Sequence, residues 1–427
     1  MKWLDKIIQI FKIKDLRVKI LFVLMILVVF RIAANIPIPG IDVERLKQFF
    51  SNNQLFGLMN IFTGGAMSNL SIIMLGLGPY ITATIIMQLL TMIFPKLEAL
   101  YKEEGEAGRQ KFNQYSRMLT VPMAILQSYA MLTLLSRQNI ISFSSTLQWI
   151  TSIIVATGGA LFLMWLGELI SEKGIGNGVS LLIFAGIVSS VPLSIRELVV
   201  TYSPSQIPSY VAFFIIALII TSGVVVITEG RRNIPVSYAK RVRGNKMYGG
   251  VSTYLPLNVN PAGVIPIIFA LSIMLFPGVI ANFLGGSSIG WVASIAQFVG
   301  RFFENQWFYG IVYFLLVVMF TYFYTAVTFN PKNVSENLQK MGGYIPGIRP
   351  GKSTTDFLYF ILNRVLLFGA IFLGTIAVLP SIVQGITGIT AFGFVIGGTA
   401  LLIVVSVVLD TMRQVNSQLT MRDYEGL

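Results

Sequence analysis

Neither cysteine nor histidine occurs in the 427-residue sequence. Without thiol or imidazole, disulfides, thiolate nucleophiles, zinc sites of the usual ligand sets, haem ligation through His and imidazole-based triads are all excluded. The lack of thiols fits oxidising and reducing compartments alike. Charge is scarce too: 11% of the residues are Asp, Glu, Lys or Arg, where soluble proteins carry ~25%. A chain that is 55% hydrophobic has too little polar surface to coat soluble domains of this length, which places it among helical integral membrane proteins. Its 39 glycines suit that class, because Gly lets membrane helices approach closely.

Apolar stretches long enough to cross ~30 Å of hydrocarbon as helix run through 20–36, 71–94, 118–135, 147–167, 179–195, 210–228, 262–283, 307–329, 357–379 and 389–409. That makes about ten spans. Arg31, near the end of the first, and Arg364, near the start of the ninth, are placed to snorkel. A basic stretch precedes the first span in the manner of a signal peptide, but Arg31-Ile32-Ala33-Ala34-Asn35 lacks a good small-x-small cleavage pattern. The span therefore reads as a retained helix.

Lys and Arg outnumber Asp and Glu by 31 to 18, a net charge of +13, and the excess is sorted by side. Basic clusters precede the first span and follow the second (Lys96, Lys102, Arg109, Lys111), the sixth (Arg231, Arg232, Lys240, Arg241, Arg243, Lys246) and the eighth (Lys332, Lys340, Arg349, Lys352). The alternate loops hold only Arg45, Lys47, Arg137, Arg196 and Arg301. The positive-inside rule then puts both termini and the large basic loops in the cytoplasm. Spans one to five and six to ten form two halves, residues 1–200 and 201–427, joined through the Pro-rich stretch Val191 to Pro208. Five is odd, so equivalent helices in the halves point in opposite directions, and an inverted repeat would place the functional path at their interface.

Little of the sequence carries reaction chemistry. Gly351-Lys352-Ser353 is like the end of a phosphate loop, but Pro346 stands where that loop needs its first Gly and a membrane helix follows. Nucleotide binding is rejected, and no cofactor or metal is expected. Glu168 lies at a helix end and reads as a solvated boundary residue. With no carboxylate at span depth, a small-solute coupled transporter is disfavoured, and with no carboxylate pair an intramembrane enzyme is more so. Thr82, Thr84, Gln88 and Gln127 inside spans, and Asn260 at the mouth of the seventh, fit either helix-to-helix hydrogen bonding at ~0.6 kcal/mol per pair or a polar seam that parts reversibly. Glu172 to Gly178 reads as a tight turn between two helices. The long connection after the first span ends in the apolar stretch Leu58 to Met67, too short to cross the bilayer. It reads as a half-inserted helix broken by Gly64 and Gly65, or as an external amphipathic loop. The cytoplasmic stretches Gly230 to Val236 and Tyr238 to Gly244 mix strand formers with charge, so a folded docking surface for an acidic or nucleic-acid partner stands beside the plain topological reading of their basicity.

Taken together these stretches resemble the SecY family, the large channel subunit of the bacterial protein translocon, along essentially the whole chain. The resemblance is carried by Pro37-Ile38-Pro39-Gly40-Ile41-Asp42, Gly76-Leu77-Gly78-Pro79-Tyr80-Ile81, Gly174 to Gly178, Ala262-Gly263-Val264-Ile265-Pro266, Phe329-Asn330-Pro331 and Pro346-Gly347-Ile348-Arg349-Pro350-Gly351. It implies an all-α membrane protein of two pseudo-symmetric inverted five-helix halves around a central pore, with a plug helix. It also implies a lateral gate between the second and third spans on one side and the seventh and eighth on the other. Unfolded secretory polypeptides would pass through the pore, hydrophobic segments would leave sideways into lipid, and no reaction would be catalysed. The family's pore ring falls on Leu77, Ile81, Ile183, Ile187, Ile268 and Ile403. Its plug, near 55–68, falls on Ile61, Phe62, Gly64, Gly65 and Met67. Motor or ribosome docking falls on Arg241 and Arg243 in the 229–260 loop and Arg349 in the 329–356 loop. Gln88, Gln127 and Asn260 are assigned to the polar part of the gate. The implied partners are SecE-like and SecG-like small membrane subunits, a SecA motor ATPase, the ribosome, signal-sequence-bearing polypeptides and membrane lipid. Without the resemblance, the six ring residues would be ordinary core or lipid-facing side chains.

Overall fold

The computed structural model describes residues 12–38, 63–137, 145–200, 207–238, 241–243, 246–248, 252–284, 305–387 and 398–425, with isolated residues between them. Among the described residues there are ten long helices: α1 (Lys14–Ala33), α2 (Gly78–Ile93), α4 (Gly105–Arg137), α5 (Thr146–Lys173), α6 (Gly178–Val200), α7 (Ile207–Glu229), α8 (Ile265–Leu284), α9 (Gln306–Thr328), α11 (Lys352–Thr387) and α12 (Gly398–Glu425). Two short ones, α3 (Pro95–Lys102) and α10 (Pro331–Lys340), lie beside them. Each of the ten long helices overlaps one of the ten expected spans. By length and hydropathy of the described residues alone, five are sufficient to cross a membrane, or six if α2 and α3, bent by 111° at their junction, count as one.

Local chemistry sets the ends. Ser145 caps α5 by accepting from the Gln148 amide, and Asn330 caps α10 by accepting from the Lys332 and Asn333 amides, with Pro331 in the first turn. The second span differs from its sequence expectation, because helix starts at Gly78 and not near residue 71. Gly76 at φ +59° interrupts the backbone, and Pro79 then opens the helix. Ahead of it, residues 36–38 pair with 70–72 through Ile38 N to Leu70 O (2.9 Å), Ile72 N to Ile36 O (3.0 Å) and an antiparallel bridge between Pro37 and Ser71.

The first half packs α1 on α5 and α6, and α2 on α4 and α5; the second packs α9 on α8 and α11, and α12 on α7 and α11. The halves meet along two seams, α2 and α4 against α8, and α6 against α12. Gly178 shows how tightly the first half is built: a Cβ there would lie 1.9 Å from the Gly167 carbonyl oxygen, so only Gly lets α6 start against α5. A continuous apolar core runs through both halves, including Phe30, Ile85, Leu163, Phe269, Phe320 and Leu373.

The helical framework carries one addition to the all-α expectation. The described residues of the 229–260 loop enter two antiparallel sheets, one with β1 (Arg231–Tyr238) central between β4 (Ser252–Asn258) and β5 (Gly343–Tyr344), the other pairing β2 (Arg241–Arg243) with β3 (Lys246–Tyr248). Ile234 and Val236 of β1 are buried at alternate positions against Leu257, Leu338, Ile345 and Leu358, a separate small core that seats the loop on α10 and the start of α11.

Candidate pore, plug and docking sites

The six residues expected to form the ring come from four helices, α2, α6, α8 and α12. Leu77 is the N-cap of α2, and Ile81, whose amide donates to the Leu77 carbonyl (3.0 Å), lies one turn on. Ile183 and Ile187 are one turn apart on α6, Ile268 is on α8, and Ile403 on α12. Leu77, Ile183, Ile187 and Ile403 are buried members of the common core, and Ile81 and Ile268 are half-buried against it. Leu77, Ile81, Ile183 and Ile268 also line a cavity of about 90 Å³, together with Phe30, Leu163, Gly76 and Thr63. The wall is largely aliphatic, with the hydroxyls of Thr63 and Ser272 as its polar side chains.

Thr63, which closes one side of that cavity, belongs to the apolar connection before α2. Ile61 and Phe62 lie outside the described residues. Asn60 is helical, and the Gly65 amide donates to its carbonyl across five residues (2.8 Å) with Gly64 at φ +67°. Gly64 and Gly65 stand in turn conformation, and residues 63–70 continue as turns. Met67 is 1% exposed and packs with Leu132, Leu135 and Ala156 of α4 and α5.

Arg31 departs from the snorkelling expectation. Its Nη1 donates to the Gly64 carbonyl (2.5 Å) and to Ser189 Oγ on α6 (3.2 Å), so the cation points into the fold. Arg364 sits with its guanidinium 4.2 Å from the Phe360 ring centroid, a cation–π contact. Glu168 is not simply solvated: it accepts from Arg117 Nε at 2.5 Å, which joins α5 to α4.

The three polar gate candidates are not brought into one network. Gln127 Nε2 donates to Thr82 Oγ1 of α2 (3.4 Å), and Asn260 Nδ2 to the Gly263 carbonyl (3.0 Å). Gln88 Oε1 and Asn260 Oδ1 are buried without a hydrogen-bond partner among the described residues.

Arg349 is exposed on a tip whose backbone is fixed on every side. The Ile348 amide bonds the Ile345 carbonyl (3.0 Å), Thr354 Oγ1 donates to the Arg349 carbonyl (2.9 Å), and Ser335 Oγ donates to the Gly351 carbonyl (2.9 Å). Arg241 and Arg243 fall in β2, at the register Arg241 to Tyr248 and Arg243 to Lys246. A cation that sequence reading left unassigned, Arg413 of α12, grips the end of α7 through Glu229 Oε1 (2.7 Å) and the Thr228 carbonyl (2.8 Å). Its neighbour Gln414 accepts from the Gly176 amide in the α5–α6 turn (2.8 Å). Partners 238 positions apart in sequence leave no local signal.

Known proteins agree with this architecture. The chain is 43% identical to the protein translocase subunit SecY of Streptomyces galbus, covering 97% of this chain and 98% of that one. It is 44% identical to its counterpart in Mycobacterium tuberculosis, over 96% and 97% of the two chains. Among solved structures it resembles a protein-conducting channel, with a TM-score of 0.63 at 20% identity over 93% of this chain and 91% of that one. It also resembles Sec61 in the canine ribosome-channel complex from the endoplasmic reticulum, with a TM-score of 0.59 at 20% identity over the same shares. The SecY family model matches residues 71–412, and with relatives above 40% identity along nearly its full length this chain belongs to the SecY family.

Proposed function

We propose that this protein is the protein-conducting channel subunit of a Sec-type translocon, which passes unfolded secretory polypeptides across the membrane and releases hydrophobic segments sideways into lipid. The observation that carries the reading is the apolar cavity between the halves, walled by Leu77, Ile81, Ile183 and Ile268 and closed on one side by Thr63. Such a constriction excludes ions by failing to wet, yet its side chains yield to a chain threaded through it. Residues 1–200 and 201–427 act as the two halves of a clamshell with inverted helix directions. Ile187 and Ile403 complete the ring, and the segment holding Gly64, Gly65 and Met67 is the plug. Lateral release follows from offering each segment a choice between water and hydrocarbon at ~0.8 kcal/mol per methylene.

The phosphate-loop lookalike at Gly351-Lys352-Ser353 lacks its first Gly, which favours work supplied by partners: a SecA-like motor or a translating ribosome, docked on Arg241, Arg243 and Arg349, with SecE-like and SecG-like subunits around the helices. The relative found in a ribosome-channel complex supports the ribosome in that role. Both termini face the cytoplasm of the cell membrane. Single cysteines at Ser237 and Ser353 are then labelled only from the cytoplasm and one at Ser203 only from outside, with no native thiol as background; Ser203 and Ser353 labelled from one side overturn the topology.

The ring is tested by Ile268→Asn and Ile403→Asn. Burying an unpaired amide costs ~1–3 kcal/mol, which raises the closed state relative to a wetted open one. Export of substrates with weakened signal sequences should rise, and purified channels in planar bilayers should open to ions more often. Leu161→Asn in α5, outside the ring, should lower stability without that gain. Identical behaviour of all three variants would reduce the six residues to ordinary packing.

A further inference from the structure

Gly64 is held from two sides. Its carbonyl accepts from Arg31 Nη1 of α1 (2.5 Å), and its Cα lies so close to α6 that an added Cβ would sit 3.0 Å from both Gly186 Cα and Ser189 Oγ. Ser189 donates its own proton to the Gly186 carbonyl (2.8 Å), which leaves its oxygen lone pair for Arg31 Nη1 at 3.2 Å. Three elements thus converge on one guanidinium: the end of α1, the turn at Gly64, and the stretch of α6 that carries Ile187. A backbone carbonyl in a turn has no intrahelical donor, so a cation is a natural partner for it. Both acceptors are neutral. Arg31 can therefore let go of Gly64 without leaving a buried carboxylate behind, which an ion pair could not do.

We propose that Arg31 is the latch of the plug segment, a positioning residue that holds Gly64 on α6 beside the ring and whose release of the Gly64 carbonyl is a step of channel opening. The inference rests on the channel reading above and adds a residue to it. The guanidinium binds only the closed arrangement, so it sets how far the equilibrium leans towards closure. Once the carbonyl has gone, a free cation remains on the wall of the passage.

The test uses the full-length protein with Met67→Cys as its single thiol, at a position 1% exposed in the seated segment, in vesicles free of any secretory substrate. A water-soluble thiol reagent then reads how often the segment leaves its seat, whether or not the protein conducts a polypeptide. Arg31→Leu should speed labelling about tenfold, the scale of one lost charge-assisted hydrogen bond. Arg31→Lys, which keeps a donor cation, should stay within about threefold of the parent. Ser189→Ala, a smaller change that serves if the Leu variant does not fold, should speed labelling severalfold. In cells, Arg31→Leu should raise export of weak-signal substrates and Arg31→Lys should not. Unchanged labelling in Arg31→Leu, or in Ser189→Ala where that serves, overturns the latch, as does a Lys variant labelled as fast as Leu. Faster labelling with unchanged export overturns its place in opening while the contact stands. A failure of the ring variants with the labelling pattern intact would instead strike the channel reading alone.

Discussion

The two seams between the halves are built differently. Where α6 meets α12, one hydrogen bond crosses the seam, the Gly176 amide to Gln414 Oε1 at 2.8 Å, from a helix that Arg413, one residue before Gln414, anchors on its own side to Glu229 and Thr228. Where α2 and α4 meet α8, the polar groups bond on their own side, Gln127 to Thr82 and Asn260 to Gly263, and the Gln88 and Asn260 amide oxygens are buried unpaired among the described residues. Apolar helix contact in a bilayer is easily exchanged for lipid, because hydrocarbon tails are as apolar as the side chains they replace. A seam of the second kind parts at low cost, and one of the first kind stays. A body that must open on one side and hold on the other needs one of each.

The most damaging way to break this contrast is to spoil the footing of the stitched seam. Gly178→Val forces side-chain atoms into the Gly167 carbonyl, 1.9 Å from where Cβ would stand, and separates α5 from α6 at a cost of about 3 kcal/mol. The variant should give little monodisperse protein on size-exclusion in mild detergent; normal yield would mean that the α5–α6 turn is not a rigid base. A smaller effect of opposite sign is expected at the other seam. Gln88→Leu removes a buried oxygen that has no partner among the described residues, favouring the closed state by about 1–2 kcal/mol, so export of weak-signal substrates should fall about tenfold. A rise in that export would show that Gln88 is satisfied when closed. Gln414→Leu loses one hydrogen bond, about 1 kcal/mol, and should lower the thermal midpoint by about 2 °C without changing signal stringency. Arg117→Gln is the control that touches neither seam. Its pair with Glu168 is half-exposed on the Arg side, so a loss of about 0.5 kcal/mol or less that shrinks further in high salt is expected.

What the sequence made legible was whatever depends on neighbours along the chain. Charge-free runs marked the spans, basic runs the loops, and Gly174 to Gly178 a turn that does connect α5 to α6. The strand formers of Gly230 to Val236 were visible, and the sheet buries Ile234 and Val236 among them. Pairings set by the third dimension were not legible. Arg31 looked free to snorkel because its acceptors lie 33 and 158 positions away, and Glu168 looked solvated because Arg117 lies 51 away. The late start of α2 is an intermediate case: Gly76 and Pro79 were visible, but the conformation of Gly76 at φ +59° was not. Of the candidate site, residue types and spacing were readable, while convergence of Leu77, Ile81, Ile183 and Ile268 on one cavity needed the packed helices.

The pairing of 36–38 with 70–72 ties the connection between α1 and α2 shut at its neck. Anything carried inside that closed leash remains at an effective concentration of roughly millimolar with respect to its seat, however far it swings. Return is then a unimolecular event, with no diffusional search and no dependence on how many copies of the protein the membrane holds. The channel would reseal as soon as the passage empties, on the timescale of a tethered loop and without an energy source of its own.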